Sequence, residues 1–254
     1  MAEVYNLSSL NLKLSPFLQE ATVIRAINVS RNLIGAWKKR PGYTTYLGTT
    51  PNGSAVHSLL TYTQNNGTTF WNYVGAGANI YYSQQGTGAL TICGGGTLTA
   101  GSPIFSGISL TTGSNTLMIG DGAAATRHSL DGTSFTNTTS APIARGFQPY
   151  QQRMYAIGTA SSLVWSNVGT ATDWTNDSSS VEVPGPGRLH TLMKIADRLV
   201  PTKNYGNMYR WDGFNLIDMA TNLGPTSPQS IGITEGFAFW LNRLGEFGYG
   251  GGKP

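Results

Sequence analysis

The sequence predicts an all-β protein, a β-propeller of four-stranded antiparallel blades with an irregular N-terminal arm. The first observation is an apolar run ending near glycine, followed shortly by an aromatic or apolar pair and a turn. Counted from Phe70, Leu117, Met154, Leu199 and Ala238, the run recurs at intervals of 47, 37, 45 and 39 residues. Repeats of about 40 to 50 residues built from short strands are typical of propeller blades.

The second observation is that turn-forming residues divide each repeat into four strand-like segments. They are Asn65-Asn66-Gly67, Asp131-Gly132, Pro184-Gly185-Pro186-Gly187 and Asp212-Gly213. First strands are predicted near 56–62, 104–110, 143–150, 189–195 and 229–234, and fourth strands near 89–93, 134–138, 181–183 and 216–219. We therefore expect blades over 56–98, 104–140, 143–184, 188–222 and 228–254. The candidates for the core between blades are Trp71, Met118, Tyr155, Leu199 and Phe239.

The fifth repeat stops where its fourth strand should begin. A single meander buries little surface and leaves two open edges, so ring closure is favoured. Residues 1–50 do not fit the repeat and form the N-terminal arm. Either a strand from 22–29 or 43–48 of this arm closes a five-bladed ring, or the chain is a piece of a longer protein with further blades. Both alternatives stay open.

Charge is sparse and unevenly placed. Only 11% of the residues are charged, against about 25% in typical soluble domains. Residues 1–50 carry six basic and two acidic side chains, so the whole net charge of +4 lies there. A surface with so few charges is often covered by other subunits. Extracellular and viral β proteins of this composition without such contacts are the alternative.

The densest charge is Lys38-Lys39-Arg40, which is followed by Pro41-Gly42. Three adjacent cations repel one another, and a partner that neutralises them stabilises the segment. The segment is a candidate contact with an acidic patch of a neighbouring subunit or with the DNA backbone. A solvated basic turn is the third possibility.

Two segments resemble the Asp-box, a hairpin of sialidase propellers. Ser129-Leu130-Asp131-Gly132-Thr133-Ser134-Phe135 is a degenerate version, and Ser166 to Trp174, with Asp173, is a longer one. Asp131 can accept hydrogen bonds from its own turn while Phe135 packs beneath. The resemblance implies structural turns that lie away from catalysis.

The sequence predicts no catalytic residue, no cofactor and no metal site. Its acids are not arranged as the facing pair that a glycosidase needs, and it contains no Gly-x-Ser-x-Gly elbow. His57, His128 and His190 lie far apart and are expected at surface or half-buried positions, although three histidines meeting at an axis could bind a metal. Cys93, the single cysteine, is expected to be buried and apolar. The sequence shows no secretory signal and no membrane span.

Larger segments resemble the β-propeller tail proteins of short-tailed bacteriophages, the tail nozzle and tail accessory proteins. The similarity begins with an N-terminal arm that runs into Lys39-Arg40-Pro41-Gly42-Tyr43. It continues in Ile80-Tyr81-Tyr82-Ser83, Leu163-Val164-Trp165-Ser166, Met208-Tyr209-Arg210-Trp211-Asp212-Gly213 and Gly236-Phe237-Ala238-Phe239-Trp240-Leu241. It spans nearly the whole chain, although family members are usually longer. The resemblance implies a ring, often of six copies, around the DNA exit channel, and no catalytic residues.

From these observations we expect a non-enzymatic structural protein of the virion tail that is made in the host cytoplasm and takes part in genome ejection. Its partners would be copies of itself and other tail or connector proteins, with non-specific DNA contact in the channel. The alternative is a host-glycan-binding or sialidase-like propeller in which exposed Trp165, Trp174 or Trp211 stacks on sugar rings.

Overall fold

The computed structural model divides the chain into two compact units, residues 1–46 and 47–254. The structure describes residues 9–10, 22–23, 29–31, 37–39, 54–63, 68–84, 89–99, 106–110, 116–158, 161–175, 179–195, 197–225, 227, 231–234, 237–242 and 247–250. All regular elements among these residues are β-strands.

In its described residues the first unit contains four short strands in two pairs. They are β1 (Ser9–Leu10), β2 (Thr22–Val23), β3 (Val29–Arg31) and β4 (Trp37–Lys39). β1 pairs with β2 in parallel and β3 pairs with β4 in antiparallel fashion, with Lys38 opposite Ser30. The interpretation of Lys38 and Lys39 as part of a turn is therefore wrong, because both belong to a strand. The second strand predicted in the arm, near 43–48, lies outside the described residues, and the ring-closing strand stays a prediction.

The described part of the second unit contains five antiparallel sheets that follow one another along the chain. Sheet 1 consists of β5 (Val56–Thr63), β6 (Phe70–Ala76), β7 (Asn79–Gln84) and β8 (Thr91–Thr97). Sheet 2 consists of β9 (Ser106–Leu110), β10 (Thr116–Gly120), β11 (Arg127–Ser129) and β12 (Thr136–Asn137). Sheet 3 consists of β13 (Phe147–Tyr150), β14 (Arg153–Ile157), β15 (Ser162–Trp165) and β16 (Ser179–Glu182).

Sheets 4 and 5 continue the pattern. Sheet 4 consists of β17 (Leu189–Ile195), β18 (Arg198–Lys203), β19 (Met208–Trp211) and β20 (Leu216–Ala220). Sheet 5 consists of β21 (Ile231–Thr234), β22 (Phe237–Leu241) and β23 (Phe247–Gly250). Each sheet is a meander in which strands adjacent in sequence are paired.

The sheets are arranged as blades, with the first strand of each next to the first strand of the following one. β5 lies against β9, β9 against β13, β13 against β17, and β17 against β21. The approach is close: a Cβ atom added at Gly107 on β9 would clash with Leu60 Cδ2 on β5. This arrangement confirms the predicted β-propeller with a three-stranded last repeat.

The strand boundaries predicted from sequence are close to those observed, with three local differences. The fourth strand of sheet 1 runs over Thr91–Thr97 and not 89–93. The fourth strand of sheet 2 is only Thr136–Asn137, because Phe135 instead donates its N–H to Gly94 O of sheet 1 at 2.7 Å. The first strand of sheet 3 begins at Phe147 and not near residue 143. Residue Ala144 belongs to the crossing between sheets 2 and 3, where its carbonyl accepts from Gly122 N–H at 3.0 Å.

Apolar clusters fill the spaces between neighbouring sheets. Four of the five predicted core residues are buried there: Trp71, Met118, Tyr155 and Leu199. The fifth prediction, Phe239, is half-buried, while its neighbours Ala238 and Trp240 are buried against Met193 and Val200 of sheet 4. Successive side chains of a strand point to opposite faces, so this error is a shift of one residue.

Candidate interaction surface

The turn between β11 and β12 is held by the carboxylate of Asp131. Its Oδ1 atom accepts hydrogen bonds from the backbone N–H groups of Thr133 (2.8 Å) and Ser134 (2.9 Å). Its Oδ2 atom accepts from the hydroxyl groups of the same residues at 3.0 and 2.8 Å. Ser129 Oγ donates to Asp131 Oδ1 at 3.1 Å and accepts from Gly132 N–H at 2.9 Å. Asp131 therefore organises its own turn.

These contacts also keep Asp131 ionised. Desolvation raises the pKa of this carboxyl, but the hydrogen bonds from Ser134 and Thr133 outweigh it and hold the pKa well below its usual range. Hydrogen bonds to a charged carboxylate favour the charged form. At neutral pH the turn therefore carries one full negative charge.

The same turn joins sheet 2 to sheet 1. The Tyr73 hydroxyl of β6 donates to the Gly132 carbonyl at 2.6 Å. The ring of Phe135 meets the ring of Tyr73 edge-on, with centroids 5.9 Å apart. Phe135 lies in one buried cluster with Trp71 and Tyr73. The hairpin therefore fastens two blades together.

A second turn of this kind follows β15. Ser166 Oγ accepts from the N–H of Met154 at 2.9 Å and contacts Thr170 O at 2.7 Å. Asp173 Oδ1 accepts from the Thr175 hydroxyl at 2.6 Å and from Thr175 N–H at 3.0 Å, and these bonds lower the pKa of Asp173. The two side chains thus act at separate points of a longer loop.

Trp174 is the apolar anchor of this second turn. Its side chain is buried in a cluster with Met118 and Phe147, which belong to sheets 2 and 3. The indole Nε1 donates to Ala171 O at 2.8 Å, so the buried polar atom is satisfied. Trp174 fills the gap between sheets 2 and 3 as Phe135 does between sheets 1 and 2.

A third aspartate turn lies between β19 and β20, where the sequence marks Asp212-Gly213 as a turn. Asp212 Oδ1 accepts from the N–H groups of Asn215 (2.7 Å) and Phe214 (2.9 Å), and these bonds lower the pKa of Asp212. Sequence reasoning predicted the turn but missed that its aspartate holds it, although the Asp212-Gly213 pair repeats Asp131-Gly132. Here the following aromatic residue, Phe214, is 90% exposed.

The three aspartate turns lie at the same end of their sheets, because each joins a third strand to a fourth. Turns joining first to second strands lie at this end as well. Hydrogen bonds connect them: Gly169 N–H donates to Gln152 O at 2.7 Å and Gln151 Nε2 donates to Asp212 O at 3.2 Å. We call this end the turn face and define it by the described residues 129–135, 151–152, 166–175, 197 and 212–215.

At the opposite end, Asp121 ties the chain leaving sheet 1 to sheet 2. Its carboxylate accepts from the backbone N–H groups of Thr99 (2.7 Å), Ala124 (2.7 Å) and Ala123 (2.9 Å). Burial raises the pKa of Asp121, but these hydrogen bonds outweigh it and lower the pKa to about 2. Asp121 is buried, and sequence reasoning did not single it out as such a tie.

Lys203, at the end of β18, is a second buried charge, with 1% of its surface exposed. Its ammonium group donates to Ser161 Oγ at 3.2 Å, just before β15, and to Gly185 O in the linker after β16, so it joins sheet 4 to sheet 3 at two points. Burial lowers the pKa of Lys203, and the charge of Glu182 partly opposes this. A lysine within a strand pattern gives no sequence signal for such burial.

A cleft of about 520 Å³ opens beside this linker. It is lined by Pro184, Gly185, Asn207, Tyr209, Asp218, Met219, Ala220 and Thr221. The Tyr209 hydroxyl donates to Pro184 O at 2.7 Å and so holds the cleft wall together.

The histidines and the cysteine occupy separate positions. Nδ1 of His57 lies 2.9 Å from Ser58 Oγ, and Nδ1 of His128 lies 2.9 Å from Thr138 Oγ1, while His190 lies in sheet 4. Cys93 is buried as predicted, and burial raises the pKa of its thiol to about 12.

In the described part of the chain, no three His, Cys, Asp or Glu side chains are placed to hold a metal ion. No helix among those residues is long and apolar enough to cross a membrane.

Two of the three tryptophans considered for glycan stacking are unsuitable. Trp174 and Trp211 are buried, with 4% and 3% of their surface exposed. Trp165 is half-buried, and its ring lies between those of Tyr155 (5.5 Å) and Trp211 (5.2 Å). The expectation that Trp174 or Trp211 is exposed is therefore wrong, because both fill the space between blades.

The basic segment predicted as a contact is described only in part. Lys38 and Lys39 lie on β4, and Arg40 lies outside the described residues. The sequence places these three cations next to one another, and the turn face places four aspartates at one end of the blades.

The fold and these inter-blade turns define a protein of the β-propeller class. Two crystal structures of BBS1N in complex with ARL6DN, soaked with mercury and with lead, are similar to this chain, with TM-scores of 0.56 and 0.57. Identity is 10% in both, and the alignments cover 83% of this chain and 68% and 69% of those chains. At this identity the likeness shows the fold alone.

Two further solved structures have lower scores. Raptor of Chaetomium thermophilum has a TM-score of 0.47 at 9% identity, covering 78% of this chain and 20% of that chain. YCF48 from Cyanidioschyzon merolae has a TM-score of 0.49 at 10% identity, covering 70% and 65%. No protein-family model matches the sequence, and the curated proteins give no match.

Proposed function

We propose that the protein is a non-enzymatic structural component of a bacteriophage tail. It assembles with copies of itself into a nozzle or connector ring around the DNA exit channel and contacts other tail or connector proteins. The protein is made in the host cytoplasm and works in the virion during genome ejection. The sequence resemblance to tail propellers supports this proposal, and the fold is the one that the resemblance implies.

The observation that carries the proposal is that the charged side chains bind groups of the protein itself. Asp131, Asp173 and Asp212 bind the backbone of their own turns, and Asp121 binds three further N–H groups. Lys203 ties two sheets together. The aspartates of the turns fix hairpins at one end of the blades, while Asp121 and Lys203 tie neighbouring sheets together, which suits a scaffold that acts by docking.

Burial of the tryptophans favours this function over glycan binding. Sugar recognition by stacking needs an exposed aromatic face, and Trp174 and Trp211 are buried between blades. Their aromatic area instead stabilises the joints between sheets.

The test is the assembly state of the full chain. Light scattering after size-exclusion chromatography should give a mass several times that of the chain, and negative-stain microscopy should show closed rings. Binding of random-sequence duplex DNA should be weak and should fall steeply between about 50 and 200 mM salt. A monomer at every concentration would contradict the proposal. Monomers whose tryptophan fluorescence responds to a glycan would support the alternative function.

A further inference from the structure

The turn face exposes one apolar side chain in the same turn of each of three successive blades. Leu130 is 55% exposed, Val168 is 51% exposed and Phe214 is 90% exposed. Each lies in the turn that joins the third strand of its sheet to the fourth. Single exposed apolar residues are ordinary, but one on each neighbouring blade at the same end forms a row that fits an interaction surface.

The charged side chains of the turn face are all acidic. Within its residues, 129–135, 151–152, 166–175, 197 and 212–215, every charged side chain is an aspartate: Asp131, Asp173, Asp197 and Asp212. The arginines nearest to the turn face are Arg153 and Arg198, which begin the adjoining strands β14 and β18, and Arg210 of β19, whose charge acts on Asp212. Arg153 Nη1 already donates to Ser166 O at 2.9 Å. The turns therefore offer carboxylates between exposed apolar groups.

The chain itself contains a segment of complementary composition. Trp37 precedes Lys38-Lys39-Arg40, and residues 1–50 hold the whole net charge of +4. Carboxylates relieve the repulsion among adjacent cations, and complementary charges set the orientation of a contact. In this segment an aromatic side chain stands beside cations, and on the turn face apolar side chains stand beside carboxylates. The two surfaces are therefore complementary in both apolar character and charge.

We propose that the turn face is the docking surface for the Trp37–Arg40 segment of a second copy of this chain. The proposal rests on the proposed self-assembly and names the surface that joins one copy to the next. The two surfaces differ, so the contact is head-to-tail. Head-to-tail contacts close into a ring when the rotation between copies permits it.

The direct test is a cross-link from the turn face of the full chain. A Phe214→p-benzoylphenylalanine variant is mixed with isotope-labelled wild-type chain, irradiated and mapped by mass spectrometry. The proposal expects cross-links between unlike copies that map to peptides containing residues 37–40. The matched control carries the same group in place of Tyr205, which is 45% exposed in the turn between β18 and β19, at the other end of sheet 4. Cross-links to residues 37–40 from position 205 as readily as from 214 would overturn the proposal.

Two variants test the contact without a probe. Phe214→Ala and the pair Lys38→Glu with Lys39→Glu should each weaken self-association about tenfold or more, and only the charge reversal should lose its effect in high salt. Asp218→Lys, on β20 and outside the turn face, is the control and should leave association unchanged.

Rings that form normally in both test variants would overturn the docking proposal and leave the proposed function standing. Absence of any self-association in the wild type would overturn both. If the charge reversal removed only DNA binding, the basic segment would be a DNA contact and the proposal would fail.

Discussion

The hydroxyl of Tyr73 on sheet 1 and the carbonyl of Gly132 on sheet 2 are joined by a buried 2.6 Å hydrogen bond. The residues are 59 positions apart, so the bond links two blades directly. Burial, followed by the charges of neighbouring groups such as Cys93, raises the pKa of Tyr73, and the phenol keeps the proton that it donates. The bond positions the Asp131 turn over the apolar cluster of sheet 1.

Replacing Tyr73→Phe should lower the free energy of unfolding by about 1–3 kcal/mol, because the buried Gly132 carbonyl loses its donor. Urea denaturation followed by tryptophan fluorescence measures this change. Tyr82→Phe, at a half-buried position of β7, is the control and should stay within about 0.5 kcal/mol of the wild type. Equal effects of the two substitutions would show that the Tyr73 bond adds nothing to the joint.

Gly132→Ala should destabilise the protein more than Gly169→Ala. Both glycines have left-handed backbone angles, with φ of 84° and 76°, so both substitutions carry a backbone penalty of about 1–2 kcal/mol. A Cβ atom at position 132 would also lie 2.8 Å from the Trp71 ring. A Cβ atom at position 169 would have no neighbouring atom within 4 Å. Displacing the ring adds about 1–3 kcal/mol. Urea midpoints of the two variants measure the difference, and equal midpoints would refute close packing of this turn on Trp71.

Asp131→Ala should lower the free energy of unfolding by about 0.5–2 kcal/mol, the range found when a side-chain acceptor of backbone N–H groups is removed at a chain turn. Its turn is exposed, and water replaces part of the loss. Asp218→Ala removes another exposed aspartate, from the middle of β20, and serves as the control. Thermal unfolding should separate the two variants, and a control as unstable as Asp131→Ala would show that loss of charge alone is responsible.

Asp121 should make the protein sensitive to acid. Its pKa is about 2 in the folded protein against an ordinary value of 3.8. The unfolded chain therefore binds a proton first as pH falls, and stability present above about pH 4 is lost towards pH 2. Asp121→Asn should be less stable at pH 7 and should lose less stability between pH 4 and 2. Urea denaturation across this range tests it, and an unchanged acid slope would contradict the assignment.

Lys203→Met should leave stability at pH 7 within about 1 kcal/mol of the wild type, because removing a buried charge offsets the lost hydrogen bonds. Burial lowers the pKa of Lys203 in the folded state below its ordinary 10.5. The unfolded chain therefore holds more protons in the window between the two values, and wild-type stability rises as pH approaches 10. The variant should lose that rise, as measured by urea denaturation at pH 8 to 10. Lys194→Met, on an exposed position of β17, is the control and should retain it.

Much of the propeller could be predicted from the sequence. The recurrence of apolar runs such as those of Leu117 and Met154 fixed the second strands, and turn pairs such as Asp131-Gly132 marked the hairpins. These signals are local, because side-chain alternation and turn chemistry depend on adjacent residues. The one-residue error at Phe239 arose because several apolar residues follow one another there, so alternation alone does not fix which of them faces the core.

Part of the candidate surface could not be predicted. Asp131 and Asp212 both precede glycine, yet Phe135 is buried against Tyr73 while Phe214 is exposed. Only the neighbouring sheet determines whether an aromatic residue after such a turn meets a partner. Lys203 is a similar case, since its burial depends on the linker around Gly185 in another part of the chain.

The amino-acid order by itself determined the repeat, the approximate strand boundaries, the self-bonded Asp131 turn and the concentration of positive charge in residues 1–50. Tertiary structure decided which of these features face one another: Tyr73 with Gly132, Trp174 with Met118, and three exposed apolar residues in a row of aspartate turns. The physical reason is that strand alternation and turns arise from contacts between near neighbours. The joints between blades depend on packing between residues tens of positions apart, which no short pattern encodes.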